Sequence, residues 1–233
     1  PNVVREMLSA GVHKMIVLPM YPQYSGTTTA SALDALFDAL RRERNVPAMR
    51  IISEYHDDED YIQAVVTHLR QSLQDANPPP EMYLLSFHGI PIDYIKRGDP
   101  YMRQSAVTAK EIAKRMGWSK GQWRLVFQSR LGRQKWLTPY TDQTLIELAR
   151  NGVKRVLVAQ PGFTADCLET IDEIGNEGRE EFQRAGGQEL VRVPCLNDAP
   201  YFIEALAKRV RKESLGWMRS RRTSLFERCS EKK

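Results

Sequence analysis

The sequence predicts an α/β fold in which two related halves, each a parallel sheet flanked by helices, enclose a cleft. Three observations carry this. Apolar strand-like runs alternate with helical patterns along the chain, which implies βαβ units. A helix–Gly-Val–strand unit at 5–17 recurs at 146–158, with Gly11 and Gly152 in equivalent places. Two apolar runs, 82–87 and 156–159, open into segments whose side chains bind metals or accept protons. In open α/β sheets ligands bind at that strand edge.

The elements follow in order. Strand-like runs fall at 15–20, 49–52, 82–87, 125–127, 155–159 and 190–193. Helical patterns fill 30–43, 58–73, 101–116, 142–150, 166–182 and 200–212. Ser25, Thr27, Asp58 and Asp142 stand where N-caps belong. Asn77-Pro78-Pro79-Pro80 reads as a loop that sets the start of the third strand. Gly11 and Gly152 are expected to end their helices with positive φ.

Composition bounds the function. Hydrophobic content of 42% and charged content of 27% are ordinary for a globular protein. No apolar run approaches the ~20 residues of a membrane-spanning helix. Residues 1–4 show no basic region leading into an apolar stretch, so no secretory signal is read there. The chain opens without Met inside an apolar-periodic segment, and a longer N-terminus is expected. Cys167, Cys195 and Cys229 have no close pair, which suits a reducing cytoplasm better than a disulfide framework. Of the net charge of +5, residues 208–233 hold +7, from ten Lys/Arg and three Glu, leaving −2 for the rest. The high pI is a property of the tail, so no nucleic-acid partner is expected.

His88 is the first candidate for chemistry. It ends a buried-looking strand in a Gly/Pro turn, His88-Gly89-Ile90-Pro91, and a neutral imidazole there binds a divalent metal or accepts a proton. A core histidine is the plainer reading. The second is an acidic row on the 166–182 helix. Glu169, Glu173 and Glu177 are four apart, Asp166 precedes them by a turn, and Arg179 is the only base between Asp166 and Glu180. Like charges so spaced cost a helix roughly 0.2–0.5 kcal/mol per pair. A solvated face explains them too, yet the row also suits a path for cations or protons. Oxygen ligands with one imidazole suit a transiently held Fe2+. Tyr21, Tyr24, Ser25 and Thr27 place phenols and hydroxyls after the first strand, where an anion site or simple capping is served equally. Arg130 or Arg133 can meet a carboxylate and Trp136 can form a flat wall; surface and core roles fit as well. G-x-G-x-x-G, P-loop, H-E-x-x-H and G-x-S-x-G motifs are absent.

The segments Pro22-Gln23-Tyr24-Ser25, Ser86-Phe87-His88-Gly89-Ile90-Pro91, Gln128-Ser129-Arg130, Trp136-Leu137-Thr138-Pro139 and Phe163-Thr164-Ala165-Asp166-Cys167-Leu168-Glu169-Thr170 resemble the ferrochelatase family. The likeness runs to about residue 212. It implies a lyase that inserts Fe2+ into protoporphyrin IX in the last step of haem biosynthesis, on two chelatase-type lobes. His88 and Glu169 would be the catalytic and metal-binding pair facing each other across the porphyrin, with Asp166, Glu173 and Glu177 as a supporting acidic path. Tyr21, Tyr24, Ser25, Thr27, Arg130, Trp136 and Phe163 would bind the porphyrin.

Three departures bear on this reading. The family begins with a porphyrin-facing segment that this text lacks, so the first lobe is expected to be incomplete. Gly26 stands where some relatives carry a cluster cysteine, so no iron–sulfur cluster and no resident cofactor are expected. Cys167 replaces a histidine of some relatives. The resulting organisation is 1–56, the end of the first lobe; 57–197, the second lobe; 198–222, a C-terminal helix returning to the first lobe; and 223–233, a disordered basic tail. Trp217, Leu215 and Phe226 among arginines suggest peripheral membrane contact for a cytoplasmic protein. The competing functions are a chelatase for coproporphyrin or a cobalt corrinoid, and a non-catalytic two-lobed binding protein.

Overall fold

A computed structural model describes residues 2–74 and 76–217. The chain runs α1 (Asn2–Ser9), β1 (Lys14–Val17), α2 (Ser31–Leu40), β2 (Ala48–Ile51), α3 (Glu59–Leu73), β3 (Met82–His88), α4 (Ile92–Lys96) and α5 (Tyr101–Met116). It continues through β4 (Trp123–Gln128), α6 (Thr141–Arg150), β5 (Arg155–Ala159), α7 (Leu168–Ile171), α8 (Arg179–Arg184), β6 (Glu189–Arg192) and α9 (Pro200–Glu213). A π-helical turn, Gly26–Ala30, opens α2, and a second, Glu173–Gly178, joins α7 to α8.

The predicted α/β class with parallel sheets is what the structure contains. β1 and β2 pair in parallel as one sheet, and a second, all-parallel sheet has the order β4-β3-β5-β6. Side chains alternate across the larger sheet because the strand period is two. Leu85, Phe87, Phe127 and Leu157 pack with Ile62, Val66, Ile112 and Phe202 from α3, α5 and α9. Leu84, Val126, Val156 and Val158 pack on the other face with Leu145, Leu148 and Phe182. Both faces are covered, which is why these strands read as continuous apolar runs.

The strand order places the candidate chemistry. From β3 the chain crosses to β4 on one side, whereas β5 continues to β6 on the other. Neighbouring strands whose connections leave in opposite directions open a crevice at their C-terminal ends. His88 ends β3, and the Pro161–Glu169 segment follows β5, so both border that crevice.

Gly11 (φ 81°) and Gly152 (φ 93°) do end α1 and α6 in the left-handed region, as the repeat required. Asp58 caps α3 by accepting from the amides of Asp60 and Tyr61, and Ser25 caps the first π-turn by accepting from Thr27. Asp142 is not a cap. It lies inside α6, whose N-cap is Tyr140, and its carboxylate holds Arg130. α9 lies along α3 through Lys208–Asp60 and Arg209–Asp58 pairs, and its end meets the smaller sheet where Arg50 donates to the Leu215 carbonyl at 2.7 Å.

The predicted helix 166–182 is the main departure. Asp166 lies in the preceding loop, α7 is only four residues long, and a π-turn replaces regular helix at 173–178. A π-turn shifts the helical register, so four-residue spacing no longer stacks the carboxylates in one row. The cause is tertiary. Arg192 crosses directly over Gly175, where a Cβ would sit 3.2 Å from its Cδ, to pair with Asp166 at 2.7 Å.

Candidate active site

His88 ends β3 in register with Gln128 of β4. Its Nδ1 lies 2.6 Å from the Gly89 carbonyl oxygen. A carbonyl only accepts, so Nδ1 carries the proton and Nε2 presents a free lone pair. The rings of Trp136 and Phe163 flank the imidazole at 6.4 Å and 6.2 Å between centroids. The indole is fixed by its own N–H, which donates to the Leu131 carbonyl at 2.9 Å. Gly89 is dictated by space: a Cβ there would meet the Gln128 carbonyl oxygen at 3.0 Å and the indole at 3.3 Å. Gly89→Ala is expected to cost about 1–3 kcal/mol by overpacking and to move the imidazole. Chemical denaturation, with the His88 ring signals followed by NMR, checks both.

Glu169 sits in the first turn of α7, half-buried. Its carboxyl is held below the usual carboxylate range by its own backbone N–H, then by the Cys167 thiol; partial burial opposes this, and the charge of His88, when that ring is protonated, adds to it. His88, at the end of β3, and the Pro161–Glu169 segment after β5 both border the crevice between these strands. Burial, and then the Glu169 carboxylate, push the Cys167 thiol up, so at neutral pH it is a thiol rather than a thiolate.

The other predicted residues divide. Tyr21 lies exposed on a loop stitched to the Phe163 segment, because the Thr164 hydroxyl donates to the Met20 carbonyl at 3.0 Å. Tyr24 and Thr27 instead border a separate open cavity of about 500 Å3 with Tyr94, Arg97 and Asp99. Ser25 is fully buried and its hydroxyl donates to Asp99 at 2.8 Å, so it holds the loop and offers nothing to a ligand. Arg130 grips Asp142 through two bonds of 2.8 and 2.7 Å and stacks on Tyr140 at 4.3 Å. With Glu173, Glu177 and Glu181 this pair lines a cavity of about 210 Å3.

Asp166 belongs to none of these. It accepts from Arg192 at 2.7 Å, the Cys195 amide at 3.2 Å, Asn197 at 2.9 Å and Thr170 at 3.0 Å. Burial would raise its pKa, but the bonds from Asn197, the Cys195 amide, Arg192 and Thr170 outweigh it and hold it at about 2. It is a structural anion: Oδ1 accepts from Arg192, Thr170 and the Cys195 amide, and Oδ2 accepts from Asn197. Glu173 is similarly engaged, by Gln128 and Ser129. In the sequence Gln128 is only part of Gln128-Ser129-Arg130 at a strand end, and neither its type nor its spacing marks it as the amide that holds Glu169 and Glu173.

Among the described residues, no group of three or more His, Cys, Asp or Glu side chains is arranged to hold a metal ion. His88 and Glu169 supply two ligands at most. A cation held there needs further donors from whatever occupies the crevice.

A family model described as Ferrochelatase matches residues 1–214. Ferrochelatases of Brucella ovis and Brucella abortus are each 44% identical over 217 residues, which is 93% of this chain and 62% of theirs. The chain thus spans less than two thirds of the curated relatives' length. Among solved structures, SirB from Bacillus subtilis with Fe3+ superposes with a TM-score of 0.63 at 14% identity, covering 92% of this chain and 77% of that one. At that identity the likeness concerns the fold.

Proposed function

The chain belongs to the ferrochelatase family, and we propose that it carries the metal-insertion half of an enzyme that places Fe2+ in protoporphyrin IX to make protohaem. One observation carries the reading. An imidazole whose Nδ1–H is held by the Gly89 carbonyl stands at the crevice between β3 and β5, flanked by two aromatic rings, and the segment that carries Glu169 borders the same crevice.

Metalation exchanges two pyrrole N–H protons for one divalent cation. His88 Nε2 takes the two protons from the macrocycle one at a time, passing the first to solvent before it accepts the second, because Nδ1–H is already committed to Gly89. Glu169, kept anionic, attracts the cation from the other side. The porphyrin nitrogens then complete the donor set that the two side chains leave short. Trp136, Phe163 and Tyr21 give the macrocycle its apolar contacts. A macrocycle bent out of plane would present its lone pairs to one face. Glu177 and the cavity beside Arg130 are the part of the acidic path that remains open for cations.

No iron–sulfur cluster is proposed: Gly26 offers no thiolate, and its amide donates to Asp99 at 2.8 Å. Cys229 and Phe226 lie outside the described residues. Among the described residues no helix is long and apolar enough to cross a membrane. We place the protein in the cytoplasm, with peripheral membrane contact through the basic C-terminal segment. One face of the Trp217 ring is covered by the Arg50 guanidinium at 4.4 Å.

Anaerobic addition of Fe2+ or Zn2+ to the protein with protoporphyrin IX, followed by visible spectroscopy, tests the reading. Metalloporphyrin bands that grow over many turnovers support it, whereas stoichiometric binding without turnover selects a binding module. A higher kcat/KM with coproporphyrin would move the substrate to that porphyrin and leave the roles of His88 and Glu169 intact.

A further inference from the structure

We infer that Gln128 and Ser129 form a clasp that sets where Glu169 stands, and that both are positioning residues for metal insertion; the inference rests on the reading just given. The Gln128 side chain is 4% exposed, and every polar atom of it is used. Its Oε1 accepts from the Ser86 hydroxyl at 2.8 Å, and the Thr141 hydroxyl lies 2.8 Å from Ser86 Oγ. Ser86 and Thr141 are 0% and 1% exposed, so this end of the amide is locked inside the sheet–helix core. That orientation turns Nε2 outward. It donates to the Glu169 carbonyl at 2.7 Å and to Glu173 Oε2 at 3.2 Å.

Ser129 completes the clasp at a conformational cost. Its φ is 65°, a left-handed conformation that a serine adopts only under constraint. In that conformation its amide reaches Glu173 Oε1 at 2.7 Å while its hydroxyl donates to Oε2. Glu173 thus receives three donors on two oxygens, all from the end of β4. A carboxylate so held neither relays protons nor travels with a cation. It is an anchor that ties the π-turn to the sheet, and Gln128 ties the Glu169 backbone to the same strand end. His88 is paired in register with Gln128, so both members of the catalytic pair are referred to one rigid point. Buried networks of this kind rigidify when every member is satisfied.

Two variants separate positioning from general folding. Ser129→Gly removes one donor but relieves the left-handed strain, so its melting temperature should match or exceed that of the wild type. Gln128→Met keeps volume and removes the amide. Hydrogen exchange of residues 168–178 in the unliganded protein should quicken about tenfold or more in each variant. Insertion should lose about 10- to 100-fold in kcat, with the KM for porphyrin unchanged. Native exchange rates in both variants would overturn the clasp. So would quickened exchange with undiminished kcat, or a loss of activity that tracks melting temperature across the two. If the wild type metalates no porphyrin, the chelatase reading fails on its own, and the exchange data still decide whether the clasp exists.

Discussion

His88→Ala is expected to reduce metal insertion by roughly 10^2- to 10^4-fold, the range for loss of a positioned general base, and to leave porphyrin affinity within about threefold. The argument is geometric. The Nδ1 proton is spent on the Gly89 carbonyl, so Nε2 is a lone pair with no partner of its own. Truncation removes that lone pair and leaves Trp136 and Phe163 in place to hold the macrocycle. Glutamine is a better control than alanine alone, because it restores bulk without a basic nitrogen. Stopped-flow insertion of Zn2+ and fluorescence titration of protoporphyrin, run on both variants, separate chemistry from binding. Insertion at the wild-type rate with normal binding would remove His88 from the mechanism. Glu169→Gln should lower the apparent affinity for the metal as well as the rate, since what it loses is an anion.

The second large effect falls on stability. Asp166→Ala should destabilise the fold by about 3 kcal/mol, the lower end for removing one partner of a buried ion pair. The Asp166 and Arg192 side chains are only 19% and 18% exposed, so the variant leaves a guanidinium with little access to water. It also strips the acceptor from Asn197, itself left-handed at φ 48°, and from the Cys195 amide. Asp166→Asn should cost less, because the amide oxygen still accepts. The pH dependence carries a sign. Asp166 has a folded pKa of about 2, below the ordinary carboxylate value, so the folded state binds this proton less readily than the unfolded chain. Its contribution is complete above about pH 4 and is lost as pH falls through 2. Melting temperatures between pH 5 and 2 should decline through this window for the wild type and flatten in Asp166→Ala. An equal decline in both would assign the acid sensitivity elsewhere.

How far the sequence was legible varies by element. The 82–87 run, its terminal histidine and the Gly/Pro turn could be read directly, because a strand buried on both faces is apolar without interruption. β3 ends at His88, one residue beyond the predicted run. The segment after β5 was legible in composition and misread in shape. Four-residue spacing suggests a stacked acidic row, but spacing speaks for face only while the helix is regular. Arg192 draws Asp166 away, Gln128 and Ser129 draw Glu173 to the sheet, and the π-turn absorbs the difference. The loop after β1 divided in the same way. Ser25 and Thr27 looked like ligand hydroxyls, yet Asp99, from a loop 74 residues on, claims Ser25 outright.

The order of strands and helices, the two left-handed glycines and the family were all present in the sequence by itself. These depend on local periodicity, turn stereochemistry and side-chain type, which neighbours in the chain suffice to express. Which carboxylates are free and which are anchors was decided only in three dimensions. An acidic side chain has the same identity whether it faces solvent, a guanidinium or a buried amide. Its role follows from donors that the fold brings in from other strands.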